Sequence, residues 1–236
     1  MSGDAGPRLV TVAHGTRRAG GNETARRLTA AAAERLGVPA TAAYVELSEP
    51  LLGDVVAGLA APAVVVPLLL STGFHVRQDL PDACAGAPAG VSVVLGRPLG
   101  PDPLLARAQV DRLVEAGAEP GSPLVMVAAG STDLRAWHDL RGATRLLAGQ
   151  WGGRVRLTTL SGYGRRPQDV VRPGDVVSSY LLSPGLFSRK VREMADAAGA
   201  GVCADVLAEH PLVVDLVVER ARALLGEAGS QPGRCR

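Results

Sequence analysis

Apolar positions in this chain gather into short unbroken runs, each ended by glycine, proline or a polar cluster. In the first half these runs are LVTVAHG (residues 9–15), TAAYVEL (41–47), AVVVPLLL (63–70) and VSVVLG (91–96). Short, β-branched and continuous, they suit strands buried on both faces of a parallel sheet. Between them the spacing becomes helical. Asn22 to Leu36 sets Leu28, Ala32 and Leu36 one turn apart, with Asn22 as candidate N-cap and Gly37 as the closing glycine. Pro50 to Leu59 reads as a helix opened by proline, with Leu51, Leu52, Val55, Val56 and Leu59 on one face. Val76 to Cys84 predicts a short helix and Asp102 to Gly117 a longer one. Strand and helix alternating at this rhythm predict an α/β fold with a mainly parallel sheet flanked by helices.

The pattern then starts again. PLVMVAAGST (123–132) resembles VTVAHGTR when Ala129 is set on His14, an offset of 115, and DVV at 54–56 then falls on DVV at 169–171. An offset of 112 lays LLLSTGFHV (68–76) on YLLSPGLFS (180–188), and one of 108 lays PDPLLARAQVDR (101–112) on EHPLVVDLVVER (209–220). Landmarks in one order with small drifts indicate an internal duplication. The expected organisation is an N-terminal lobe over residues 1–118 and a similar C-terminal lobe over 119–228. The turn-rich EPGSP marks the join, and a disordered tail covers 229–236.

The duplication separates packing from chemistry. The first copy carries His14 at the end of its first strand, Glu46 at the end of its second and His75 just after its third. The second copy has Ala129, Ser161 and Phe187 at these places. Apolar and glycine landmarks persist while three polar groups vanish together, which marks the three as a functional set. Parallel strands deliver their C-terminal ends to one sheet edge, where α/β proteins bind ligands, so the three can converge. Two imidazoles and a carboxylate suit Fe(II), Co(II), Ni(II) or Zn(II), and a histidine there can equally accept a proton. Arg17, Arg18 and Arg77 neighbour these positions and can meet acidic substrate groups. His138 reads as a helix-surface residue, and His210, at the position of Asp102, as a helix-cap residue.

Composition narrows the classes. Of 236 residues 47% are hydrophobic and 20% charged, with 25 basic and 23 acidic residues for a formal charge of +2. That is the balance of a soluble globular protein and gives no electrostatic case for nucleic acid. Cys84, Cys203 and Cys235 are widely spaced, so neither a disulfide framework nor a zinc knot is expected, in keeping with a reducing cytoplasm. No apolar stretch is long enough to span a membrane, and MSGDAGPR has no signal-peptide character. Neither GxGxxG, GxxxxGK[ST], GxSxG nor HExxH occurs in a suitable place, which counts against nucleotide binding and against a hydrolase with a familiar nucleophile.

VAHGTRR, then YVELSEP, then PLLLSTGFHVRQDLP resembles the class II, ATP-independent chelatases, specifically the sirohydrochlorin chelatase (cobalto- or ferrochelatase) family in its long, two-domain form. The match covers most of residues 8–110 and extends more weakly over 123–226. The resemblance implies two flavodoxin-like lobes with a cleft between them, in a monomer of pseudo-two-fold lobes. It implies insertion of Fe2+ or Co2+, with Ni2+ also suited, into sirohydrochlorin or a close relative, on the way to sirohaem or cobalamin. The metal is a substrate, and no permanent cofactor is implied. By position His14 and His75 match the family's metal-binding and catalytic histidines and Glu46 its acidic partner. Arg17, Arg77 and the backbone of Ser71, Thr72 and Gly73 would anchor peripheral carboxylates, and glycines at 15 and 73 would admit a flat macrocycle. A non-catalytic metal- or tetrapyrrole-delivery protein on the same fold is the rival reading. A plain α/β hydrolase or transferase using His14 as base is a third.

Overall fold

The computed structural model of the chain describes residues 6–17 and 19–230, with the side chains of residues 19, 75 and 227–230 outside that description. Two four-stranded parallel sheets carry the fold. The first is built from β1 (Arg8–Ala13), β2 (Ala40–Tyr44), β3 (Ala63–Pro67) and β4 (Val93–Leu95), in the order β2-β1-β3-β4. The second repeats it with β5 (Leu124–Ala128), β6 (Val155–Thr159), β7 (Val176–Tyr180) and β8 (Val202–Cys203), in the order β6-β5-β7-β8. Identical strand order in two successive sheets is the structural counterpart of the sequence repeat. The strands are shorter than the apolar runs, and residues 14–15, 45–47 and 68–70 of those runs lie beyond the strand ends.

Eight α-helices surround the sheets among the described residues: α1 (Ala19–Leu36), α2 (Leu52–Ala57), α3 (Phe74–Arg77), α4 (Asp79–Ala85), α5 (Pro103–Glu115), α6 (Leu134–Trp151), α7 (Leu186–Ala197) and α8 (Pro211–Ser230). The helix expected over 76–84 is two helices. Pro81 lacks the N–H that a continuous helix needs there, so it falls in the first turn of α4, where that loss costs nothing. Asp102 caps α5 by accepting the Leu104 N–H at 2.9 Å, and His210 Nδ1 receives the Leu212 N–H at 3.3 Å at the start of α8. Thus His210 has the cap role expected from its alignment with Asp102.

Both faces of the first sheet are covered. Val10, Val12, Ala43, Ala63 and Val65 face one side and pack with Leu52, Val56 and Leu59 and with Leu80 of α4. Leu9, Thr11, Val64 and Val66 alternate to the other side and are fully buried. There the Thr11 hydroxyl meets that of Thr29 on α1 at 2.5 Å, which satisfies a buried polar group. In the second sheet Val125, Val127 and Val177 pack with Val191 and Ala195 of α7.

The two compact units do not follow a single cut at residue 118. One comprises residues 1–69, 74–99 and 214–236, the other 70–73 and 100–213. Helix α5 follows the first four strands in the chain yet packs in the second unit. Its buried Gln109 accepts the Ser178 hydroxyl of β7 at 3.0 Å, and Arg112 donates to the Ala208 carbonyl at 2.9 Å. Helix α8 follows the last four strands and packs in the first unit. Asp215 pairs with Arg35 of α1, and Arg220 donates to the Leu99 carbonyl at 3.3 Å. Of the expected tail, residues 229 and 230 end α8 and 231–236 lie outside the described residues.

Candidate functional site

Parallel pairing between β1 and β2 continues past the end of β2. The Val45 N–H reaches the Ala13 carbonyl at 2.9 Å and the Glu46 N–H reaches the His14 carbonyl at 3.1 Å. Two backbone bonds in series therefore set residue 46 beside residue 14 before any side chain acts. From that frame His14 Nδ1 and Glu46 Oε1 stand 3.5 Å apart, an ion-pair distance, with each side chain about half exposed at 50% and 49%. The loop from 45 to 50 is closed at its base, where the Tyr44 N–H returns to the Pro50 carbonyl at 3.0 Å.

Gly15 belongs to this frame. Its φ is +94°, and a Cβ there would lie 1.8 Å from the Glu46 carbonyl oxygen. The glycine is thus required by internal packing between the His14 and Glu46 loops rather than by the approach of a macrocycle. Gly73 meets nothing within 4 Å of an added Cβ and has no left-handed φ.

Asn22 is not the N-cap of α1, which begins three residues earlier. Its side chain is buried and works as a clamp. The amide oxygen accepts the Thr16 N–H at 3.1 Å, while the amide nitrogen donates to the Thr16 carbonyl and to Ser48 Oγ, both at 2.8 Å. The Tyr44 hydroxyl donates to the Asn22 carbonyl at 3.1 Å, and burial raises the pKa of that phenol. One amide thereby bridges the loop after β1 to the loop after β2.

His75 lies on α3, just beyond the third strand of the same sheet; its side chain is outside the described residues, as is Arg18. The segment leading into α3 is held at two points. The Leu70 carbonyl accepts the buried Tyr180 hydroxyl at 3.2 Å, and the Thr72 N–H donates to Asp139 of α6 at 2.7 Å. The Thr72 amide, expected to anchor a substrate carboxylate, is here engaged by a carboxylate of the protein itself. Burial, with the charges of Asp139 and Asp102, pushes the Tyr180 phenol far up, so it stays a neutral donor. Ser71, Thr72 and Gly73 are half-buried, whereas Arg17 and Arg77 are exposed. Among the described residues no three His, Cys, Asp or Glu side chains converge as a metal-binding cluster.

The second unit repeats the backbone and omits the chemistry. The Leu160 and Ser161 N–H groups donate to the Ala128 and Ala129 carbonyls at 3.0 Å each, and the Thr159 N–H returns to Arg165 at 3.1 Å. Gly130, with φ +84°, would place a Cβ 2.0 Å from the Ser161 carbonyl oxygen, as Gly15 does from Glu46. Ser161 turns its hydroxyl back onto the Ala129 carbonyl at 2.9 Å, and Phe187 occupies the first turn of α7 as His75 does that of α3.

Residues 8–116, which hold His14, Glu46 and His75, match the CbiX family model. Over those residues the chain is similar to the CbiX family. A sirohydrochlorin ferrochelatase from Priestia megaterium is 24% identical over 248 residues, covering 94% of this chain and 92% of that protein. Among solved structures, SirB from Bacillus subtilis with Fe3+ superposes with a TM-score of 0.83 at 22% identity, over 96% of this chain and 98% of its own. SirB from the subspecies spizizenii in complex with cobalt gives 0.78 at 21% identity, with the same coverage. These superpositions show the same two-sheet fold along nearly the whole chain.

Within this frame the remaining candidates sort themselves. His138 is exposed on α6, as expected. His210 is buried, with Nε2 at 3.6 Å from Asp111, inside the second unit. Burial pushes the Cys84 thiol up to about 11 and raises Cys203, so neither is a ready thiolate ligand at neutral pH. Asn22, Ser48 and Asp139 were not legible as site residues. The Asn-to-Ser spacing of 26 residues has no local signature, and Asp139 lies in the opposite copy.

Proposed function

We propose that this protein is a metal-inserting enzyme, an ATP-independent chelatase that places Fe2+ or Co2+ into sirohydrochlorin. The observation that carries the reading is the His14–Glu46 pair, fixed by two backbone hydrogen bonds at a sheet edge whose duplicate keeps those bonds and lacks both side chains. The names of the relatives and the metals in their structures supply the substrate class.

Insertion exchanges two pyrrole N–H protons for one divalent cation, which must arrive partly dehydrated at the ring face. A carboxylate beside Nδ1 favours the tautomer protonated there and directs the ligating lone pair to Nε2. His14 thus holds the cation, with His75 as the second imidazole, while Glu46 orients His14 and passes protons to water. Half exposure of His14 and Glu46 suits a site that must admit cation and macrocycle and release protons. Arg17 and Arg77, exposed beside these loops, take peripheral carboxylates. Both metals suit imidazole and carboxylate donors, so the protein works with the one that is available, toward sirohaem with iron or cobalamin with cobalt.

The test mixes purified protein with sirohydrochlorin and Fe2+ or Co2+ under anaerobic conditions and follows the tetrapyrrole absorbance. Acceleration over the uncatalysed rate without ATP is expected. Tight binding with no acceleration would instead identify a delivery protein on a chelatase fold.

A further inference from the structure

Leu47, the residue after Glu46, has a φ of +64°. A left-handed backbone is rare for a bulky side chain, which makes such a residue a pointer to function when nothing else accounts for it. Among the described residues only Leu47 and Glu209 depart from glycine in this way. The duplicate position is Gly162, with φ +63°, so the turn itself is served by glycine. Nor does burial explain a leucine here, since Leu47 is 49% exposed.

A second observation points the same way. Among the described residues of the first unit, the large apolar side chains classed as exposed are Leu47 and Phe74, the latter at 59%. Leu47 follows Glu46 in the chain and Phe74 precedes His75. Elsewhere in this unit the large apolar residues lie in the core or at its margin, yet these two flank the proposed chemistry. An apolar side chain left in water beside a reactive pair is suited to a ligand with a flat apolar face.

Resting on the chelatase reading, we infer that Leu47 is a specificity-determining contact for the tetrapyrrole ring, with Phe74 as its companion. Leu47 supplies apolar surface against the macrocycle face, while the arginines answer its charged periphery. The left-handed turn is what carries the side chain at this point of the loop, and a glycine would meet the backbone demand without supplying the contact.

Three variants separate side chain from backbone. Asparagine tolerates a left-handed φ and removes the apolar surface; methionine keeps apolar bulk; Phe74→Ala tests the companion. Binding of metal-free sirohydrochlorin, read by its absorbance, is measured alongside KM, kcat and thermal stability. Leu47→Asn is expected to weaken binding and raise KM about tenfold, the order for losing one leucine contact, with folding intact. Leu47→Met should stay within about twofold of the parent and Phe74→Ala should follow Leu47→Asn, as apolar area predicts. If the parent inserts metal and Leu47→Asn binds the ring equally well, the inference is overturned alone. If the parent neither binds nor metallates sirohydrochlorin, the functional reading falls and takes the inference with it.

Discussion

The loops at the C-terminal ends of β1 and β2 and those of β5 and β6 share a backbone plan but are closed differently. In the second unit the loops join directly, the Tyr163 N–H donating to the Ser131 carbonyl at 2.9 Å. Gly162 makes this possible, because a Cβ there would fall 2.0 Å from the Ser131 oxygen, and Trp137 fills the space beside Gly164. In the first unit Thr16 stands where Ser131 does and Asn22 where Trp137 does, and the junction runs through the Asn22 amide to Thr16 and Ser48. A side-chain bridge replaces a backbone contact, and it is in this version that His14 and Glu46 sit. The same fold thus offers a sealed edge and a bridged one. What separates them is a few side chains on a common ladder.

The largest expected effect tests whether chemistry is confined to the bridged edge. His14→Ala should lower the insertion rate by at least about a hundredfold, the usual scale for losing a proton-transfer or metal-holding group, with little change in thermal stability because the side chain is half exposed. Ala129→His in the second unit should leave the rate unchanged, since Ser161 gives it no carboxylate partner. A rate gain in Ala129→His, or a His14→Ala enzyme of normal rate, would break the comparison.

Gly15→Ala and Gly130→Ala ask whether the ladder is equally demanding in both units. Each Cβ would press on a carbonyl oxygen, of Glu46 or Ser161, at a left-handed φ. Each should cost roughly 2–4 kcal/mol, and the melting temperature should fall by about 5–15 °C in a chain of this size. Only Gly15→Ala should also depress the rate of the folded fraction, because only there does the displaced strand carry a reactive side chain. Calorimetry and single-turnover insertion on the same samples separate the two effects.

Asn22→Ala removes the bridge itself. Two partly buried backbone groups of Thr16 and the Ser48 hydroxyl each lose a hydrogen bond, a loss of about 1–3 kcal/mol in stability. The activity readout should be a fall in kcat larger than any rise in KM, because the loops that hold His14 and Glu46 lose register while Arg17 and Arg77 remain. Asn22→Asp keeps an acceptor for the Thr16 N–H and loses the two donated bonds, so it should fall between Asn22→Ala and the parent.

How much of this was open to a reading of the chain follows from what sets each feature. The strand positions, the repeat and the convergence of His14 and Glu46 follow from local patterns and from the rule that parallel strands end at one edge. The exchange of α5 and α8 does not. PDPLLARAQVDR and EHPLVVDLVVER each show that one helix face is buried, and nothing in the spacing says against which sheet. A buried glutamine was the one local hint, for Gln109 needs a polar partner and finds Ser178 in the other copy. Asn22 departs from the expected cap for a related reason. Asparagine at a helix start predicts a cap, whereas tertiary contacts with Thr16 and Ser48 placed it inside the first turns of α1.

The smallest expected effect concerns Asp139, whose carboxylate holds the Thr72 N–H three residues ahead of His75. This bond lies within the second unit, yet the next residues along the chain enter α3 of the first. If the second unit contributes only bulk, Asp139→Ala should cost about 1–2 kcal/mol, the price of an unsatisfied amide, and leave kcat untouched. If it also steadies the segment that leads to His75, kcat should fall about three- to tenfold at unchanged KM, equivalent to roughly 0.7–1.4 kcal/mol of barrier. Asp139→Asn retains an oxygen acceptor and should recover most of that loss. We expect the second outcome, because Tyr180 and Asp139 fix two carbonyl and amide groups within three residues, which is more restraint than an idle connection requires. A normal kcat in Asp139→Ala, with the expected drop in stability, would return the second unit to a purely structural role and leave the two edges related by descent alone.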